Sequence, residues 1–171
     1  MKRYISSSIF VLFISSLFAS AQMWPLTEGT QELQISGSLE WGGPAGDTKE
    51  LTLGYGYFTV EGLELGPRIS VFDMEDSTQY EITAFSEYHF MAAENVTPYV
   101  GVEFGYYNND AAENSAAGTL GFALGCKFFI LEDIAIDTSL NYTLATADVF
   151  FSDSKYESER ASLEVGLRFF Y

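Results

Sequence analysis

Eight segments of this 171-residue chain alternate apolar and polar residues with a period of two, at about residues 32–41, 49–58, 62–72, 79–90, 96–107, 117–129, 133–145 and 158–171. That period puts successive side chains on opposite faces of a strand, whereas a helix would need apolar residues every three or four positions. In the first segment Leu33, Ile35, Gly37, Leu39 and Trp41 share one face, and Gln34, Ser36, Ser38 and Glu40 share the other. In the last, Ala161, Leu163, Val165, Leu167, Phe169 and Tyr171 lie opposite Ser162, Glu164, Gly166, Arg168 and Phe170. The pattern predicts an all-β fold, an eight-stranded antiparallel up-and-down transmembrane β-barrel.

Alternation alone does not say which face is inside. A soluble barrel, such as one built to hold a ligand, keeps its apolar face inward, and a membrane barrel reverses this. Charge placement separates the two, because Glu64, Arg68, Glu81, Glu87, Glu103, Lys127, Asp137, Glu164 and Arg168 all fall on the parity opposite the aliphatic stripe. A Lys or Arg facing lipid at mid-bilayer would cost about 2–4 kcal/mol, so these residues are expected to line a lumen. Outward aromatics also group at two levels: Trp41, Tyr80, Tyr106 and Tyr142 at one end of the strands, Tyr57, Tyr88, Phe90, Phe128, Phe169 and Tyr171 at the other. Any one of them could simply suit a strand, but the two-level clustering points to interfacial girdles.

The start of the chain agrees with export. Lys2 and Arg3 precede an apolar run from Ile5 to Phe18 that closes on Ala19-Ser20-Ala21. This predicts a signal peptide over residues 1–21 and a barrel domain over residues 22–171. The run is short and interrupted by serines, and no stretch of about 18 apolar residues follows, so no helical membrane span is expected in the mature chain. The residue directly after the cleavage site is Gln22 and not a cysteine, which argues against a lipid anchor. Removing Lys2 and Arg3 leaves 6 basic residues against 24 acidic ones, a net charge of −18, and excludes a nucleic-acid partner. With 47% apolar and 16% aromatic residues the chain is still a folding one, not an acidic disordered tail. The single cysteine, Cys126, cannot close an internal disulfide, and its parity is outward.

Short links near 59–61, 91–95 and 130–132 alternate with longer polar ones at 42–48, 73–78, 108–116 and 146–157. This alternation predicts short periplasmic turns, long extracellular loops and, with an even strand number, both termini on the periplasmic side. Pro67 lies inside the third segment, where its missing N–H would interrupt a ladder, and a bulge is the expected repair.

Eight strands make a barrel just wide enough for side chains to fill. Inward Phe58, Phe72, Phe85, Tyr99, Tyr107, Phe129 and Phe170, with glycines at 54, 56, 66, 101, 105, 121 and 125 leaving room for them, predict a plugged polar lumen. Lys127 and Asp137 stand at matched distances from the 130–132 turn and are expected to form a cross-strand ion pair, while Arg68 and Arg168 bond other carboxylates. Inward acids outnumber inward bases, so some carboxylates must hold water, a cation or a proton. A narrow cation-permeable pore is therefore the competing function for a structural plug. His89 has inward parity but no serine two residues away, so no catalytic residue is assigned. No cofactor or metal motif is present; the loop acids Asp73, Glu75 and Asp76 have nonspecific spacing and read as a solvated loop. Val149, Phe150 and Phe151 put apolar side chains beyond the expected membrane boundary, either as a surface contact or as packing over the barrel mouth.

The chain ends in Glu164-Val165-Gly166-Leu167-Arg168-Phe169-Phe170-Tyr171, a polar-x-Gly-x-x-aromatic-x-aromatic tail. Its Glu164, Gly166, Phe169 and Tyr171 resemble the C-terminal signal read by the barrel-assembly machinery of the outer membrane. Together with Thr97-Pro98-Tyr99-Val100-Gly101-Val102 and Ile134-Ala135-Ile136-Asp137, this tail makes nearly the whole mature chain resemble the small eight-stranded outer-membrane barrels that include OmpX and the OmpA transmembrane domain. The resemblance implies a Gram-negative-type cell envelope, membrane lipid and outer-leaflet lipopolysaccharide as surroundings, and the assembly machinery as a partner during biogenesis. The family contains structural proteins, adhesins, complement-evading proteins and a few lipid-modifying enzymes, so it leaves the role open. The expectation is a structural or adhesin-like barrel, with an unidentified surface partner and without enzymatic activity. The folded barrel should migrate differently in unboiled and boiled electrophoresis samples of the outer-membrane fraction; a single unchanged band in a soluble fraction would reverse inside and outside.

Overall fold

The computed structural model describes residues 26–43, 46–74, 77–90, 92–93, 95–108, 116–152 and 155–171, with only the backbone described at 38–43, 46–49, 74, 77, 151–152 and 155–156. The segment read as a signal peptide, the side chains of Trp41 and Phe151, and the loop acids Glu75 and Asp76 lie outside the described residues.

Among the described residues ten strands form: β1 (Gln31–Gly43), β2 (Gly46–Val60), β3 (Leu63–Met74), β4 (Ser77–His89), β5 (Val96–Asn108), β6 (Ala116–Leu131), β7 (Ile134–Ala145), β8 (Phe150–Ser152), β9 (Lys155–Glu157) and β10 (Glu159–Phe170). Eight of them close a barrel in the order β1-β10-β7-β6-β5-β4-β3-β2, every pair antiparallel. Closure runs from Glu32 opposite Phe170 to Gly37 opposite Val165. The remaining two strands, β8 and β9, make a small hairpin within the last loop that the alternation pattern alone does not disclose.

Parity is what the ladder makes of the sequence. Along β2, Leu51, Leu53, Tyr55 and Tyr57 are exposed while Thr52, Gly54, Gly56 and Phe58 are buried. Exposed aliphatics and aromatics continue around the barrel through Ile69, Ile82, Val100, Phe104, Phe122, Leu124, Leu140 and Leu163. An uninterrupted apolar exterior of this kind is far beyond what water-facing proteins tolerate, and hydrocarbon is the solvent that suits it. Cys126 is half-buried on this outward side.

The end of the barrel carrying the β2–β3 and β6–β7 turns, the turn end, is closed from within. Residues 26–30 cross that mouth, with Gly29 N donating to the Phe58 carbonyl, Phe58 N to the Thr30 carbonyl, and Gly62 N to the Leu26 carbonyl. Gly62 has φ +76°, the left-handed conformation that the tight β2–β3 turn demands and that glycine adopts without penalty. Leu26 thereby drops into a buried cluster with Phe58, Phe129, Ala135 and Phe170.

Pro67 forms no bulge, which corrects the expectation. The β2–β3 ladder runs from Gly54–Arg68 to Tyr57–Leu65 in one register, and its shift lies instead at Phe58/Val60, beside the turn. Pro67 still pairs with Ala84 of β4, and its ring faces outward. The neighbouring Gly66 makes this possible: a Cβ there would lie 1.8 Å from the Tyr55 carbonyl oxygen, so the strands pinch together where a bulge would otherwise absorb the missing donor. Gly66→Ala should therefore destabilise the barrel by about 1–3 kcal/mol through overpacking, read as a lower urea midpoint for the folded electrophoretic band.

Candidate functional site: the charged lumen

Every charged residue assigned to the lumen from parity, Glu64, Arg68, Glu81, Glu87, Glu103, Lys127, Asp137, Glu164 and Arg168, has its side chain inside the barrel, with Glu103 and Glu164 half-buried and the others buried. They are arranged in layers between two apolar caps.

Nearest the turn end, the His89 ring lies between Phe58 and Tyr99, 5.3 Å from each ring centroid. The next layer is the densest. Arg168 Nη1 donates to Glu32 Oε1 at 2.6 Å, and its Nη2 and Nε donate to Asp137 Oδ2 at 2.5 and 3.0 Å. Lys127 Nζ donates to Glu32 Oε2 at 2.5 Å and Glu64 Oε2 at 3.0 Å, and lies 3.4 Å from Glu87 Oε2. Tyr99 donates its hydroxyl to Asp137 and lies beneath the Lys127 ammonium, 5.3 Å from the ring centroid. One layer further, Arg68 bonds Glu87 at 2.9 Å, Gln34 at 2.8 Å and Glu103, with Phe85 against its guanidinium. Glu164 is bonded by Ser36, Gln34 and Asn141.

Two features of this network differ from the sequence expectation. Lys127 and Asp137 do face one another across the β6–β7 ladder, yet their ion pairs run elsewhere, Lys127 to β1, β3 and β4 and Asp137 to β10. A side chain with a long stem reaches across a narrow lumen as easily as to the neighbouring strand. Glu32 was also missed, although it shares parity with Gln34 and Ser36 and is the acid that joins Lys127 to Arg168.

Glycines make the lumen roomy where side chains cross it. A Cβ at Gly56 would overlap the Glu64 carboxylate at 1.6 Å, and one at Gly125 would overlap the Tyr99 ring at 2.2 Å. Each of these glycines is therefore the space into which a lumen side chain folds.

Toward the loop end, Arg160 Nη2 pairs with Glu81 Oε2 at 3.0 Å, and Thr119 donates to Glu81 Oε1 at 2.8 Å. The Arg160 guanidinium is stacked on Phe72 and Phe150, 4.7 Å from each centroid. Above it, Phe72, Tyr107, Ala117, Val149 and Phe150 form the second apolar cap. Of the two readings given above for Val149 and Phe150, a surface contact or packing over the mouth, the second holds: both are buried in the mouth, clustered with Tyr107, beside the β8–β9 hairpin. Arg160, just inside the start of β10, was not singled out from sequence.

No protein-family model and no curated protein matches the sequence. Solved structures do match the fold. The N-terminal β-barrel domain of Pseudomonas aeruginosa OprF aligns over 84% of this chain and 98% of its own, at 16% identity and a TM-score of 0.61. Neisserial surface protein A aligns over 82% and 94%, at 14% identity and 0.56. Ail, the attachment invasion locus protein of Yersinia pestis, aligns over 85% and 100%, at 15% identity and 0.50. The chain has the fold of the small eight-stranded outer-membrane barrels, and the resemblance carried by its terminal residues holds at that level.

Removing one partner from the densest layer leaves buried charge uncompensated, which costs about 3–5 kcal/mol. Arg168→Met should therefore lower barrel stability by that amount, and adding Glu32→Gln and Asp137→Asn should recover a large part of it, measured by urea unfolding of the refolded protein.

Proposed function

We propose that the protein is an integral outer-membrane barrel whose lumen is a structural plug and whose outer rim carries a surface-interaction role. The observation that carries the plug is the closure of the lumen in three places. Leu26, Phe58, Phe129, Ala135 and Phe170 cap the turn end, the Arg168–Lys127–Arg68 network crosses the middle, and Phe72, Tyr107, Val149 and Phe150 cap the loop end. A hydrated ion would have to part all three.

The outer-rim role is supported by strand length. Crossing the bilayer takes about 9–11 tilted residues, whereas β2 has 15 and β6 has 16, so part of the barrel wall stands clear of the membrane. In this orientation both termini face the periplasm, and the loops and the β8–β9 hairpin face outside. Ail, the attachment invasion locus protein of Yersinia pestis, has the same fold, which supports such a rim. The proposal contains no catalytic step, since the chain's one histidine is buried between Phe58 and Tyr99, away from the lipid-facing surface.

The cation pore is the second reading, favoured by the excess of acids over bases in the lumen. Planar-bilayer recording separates the two. The plug predicts flat traces for the wild-type protein, and traces that stay flat when residues 149–157 are replaced by a short Asn-Gly turn, because the inner cap and the middle network remain. Stepwise cation-selective conductance in the intact protein would overturn the plug.

A further inference from the structure

We propose that Glu64, Glu87 and His89 form a one-proton site at the turn end of the lumen, in which Glu64 keeps a carboxyl proton and donates it to the imidazole, and that the plug loosens when this proton is lost.

His89 Nδ1 lies 3.2 Å from the Gly62 carbonyl oxygen. A carbonyl only accepts, so Nδ1 carries the ring hydrogen and, in a neutral ring, Nε2 is a bare lone pair. That nitrogen has no hydrogen-bond partner, yet it faces Glu64 Oε2 at 3.6 Å and Glu87 Oε2 at 3.7 Å, all three side chains being at most 1% exposed. Glu64 Oε1 and Glu87 Oε2 likewise take no hydrogen bond. The two Oε2 oxygens that face Nε2 share the Lys127 ammonium, at 3.0 and 3.4 Å, but nothing donates to Nε2, and a lone pair set against two carboxylates away from water is repelled unless a proton lies between them.

The charges around the site lead to the same requirement. Glu32 of β1, Glu64 of β3, Glu87 of β4 and Asp137 of β7 face Lys127 of β6 and Arg168 of β10. Arg68 of β3 also reaches Glu87 but is shared with Glu103 of β5, and Tyr99 of β5 adds a neutral hydroxyl. β2 contributes Gly56, which has no side chain to charge. The acids exceed the bases, and one proton on Glu64 reduces the excess at the point where the lone pairs meet. Glu64 is the member to hold it: Glu87 has Arg68 at 2.9 Å, whereas the one ammonium at Glu64, that of Lys127, is held closer by Glu32.

A metal ion is the other cation such a trio could take, for one donor atom from each residue lies within 4.8 Å of the others. Lys127 excludes it. Its ammonium is already 3.0 Å from Glu64 Oε2 and 3.4 Å from Glu87 Oε2, the same two oxygens that face His89, so a divalent ion there would press against a like charge. A proton adds no volume and fits.

The single histidine makes the test direct, because one imidazole gives one pair of ring-nitrogen resonances. Refolded protein labelled with ¹⁵N-histidine in lipid nanodiscs should show, at neutral pH, a protonated Nδ1 and an Nε2 shifted from the free lone-pair position by the Glu64 proton. Raising the pH should move Nε2 to the position of a free lone pair, and the thermal stability of the folded band should fall as the pH rises toward that midpoint, because the unfolded chain has already lost the Glu64 proton, and level off beyond it. In E64Q, whose amide N–H donates to Nε2 without titrating, that alkaline fall should disappear. A free lone-pair Nε2 signal already present at neutral pH in the wild-type protein would overturn the site, as would an E64Q barrel whose stability still falls as steeply over the same pH range as the wild type. Addition of zinc chloride should leave both resonances unmoved, and a zinc-dependent shift abolished by E64Q would replace the proton with a metal.

Discussion

Hydrocarbon offers a backbone nothing to bond with, and the rest of this molecule follows from that. Each N–H and C=O within the membrane must find a partner in another strand, so the first and last strands of the barrel have to meet. The ladder from Glu32–Phe170 to Gly37–Val165 is that meeting. Once the ring is closed, parity leaves a side chain two choices, lipid or lumen, and the charged ones can go only one way.

Sending the charges inward transfers the difficulty to a narrow space. Eight strands enclose too little volume for bulk water, so each guanidinium and ammonium must be matched by carboxylates within reach. Arg168 and Lys127 meet on Glu32, Lys127 reaches Glu64 and Glu87, and Arg68 continues from Glu87 to Glu103. The bonds of Lys127, and that of Arg68 to Glu103, tie together strands that are not neighbours in the ring. Brace and barrel therefore support one another, since the wall holds the charges in place and the charges resist collapse or shear of the wall.

What could be read from the sequence was what depends on the backbone. A period of two survives any tertiary arrangement, and so the strands and their facing were legible from residues such as Leu33 to Gly37 and Leu163 to Tyr171. The expected alternation of short and long connections was not met: two residues separate β1 from β2 and β3 from β4, as few as separate β2 from β3 and β6 from β7, because the strands run on into the polar segments. Partner choice across the lumen was not legible either. Asp137 is the neighbour of Lys127 along the ladder, but Glu32 lies far away in sequence and reaches it only after the ring has closed. Leu26 was hidden for a different reason: it belongs to a segment outside the barrel strands, where period carries no message, and the same silence left Phe150 open between a surface contact and packing over the mouth, which the structure decides for packing. Pro67 misled because the rule about prolines in strands took no account of the glycine before it.

The two faces of the wall also differ in how freely they can change. Lipid has no fixed shape, so one outward aliphatic can replace another with little consequence, as at Leu53, Ile69 or Val100. Inward positions are linked, since Gly56 is the room for Glu64 and Gly125 the room for Tyr99, and enlarging one member requires shrinking the other. Half of the wall can thus drift one residue at a time while the other half changes only in concert, and a barrel of this kind can lose nearly all resemblance in sequence to its structural counterparts while keeping its architecture intact.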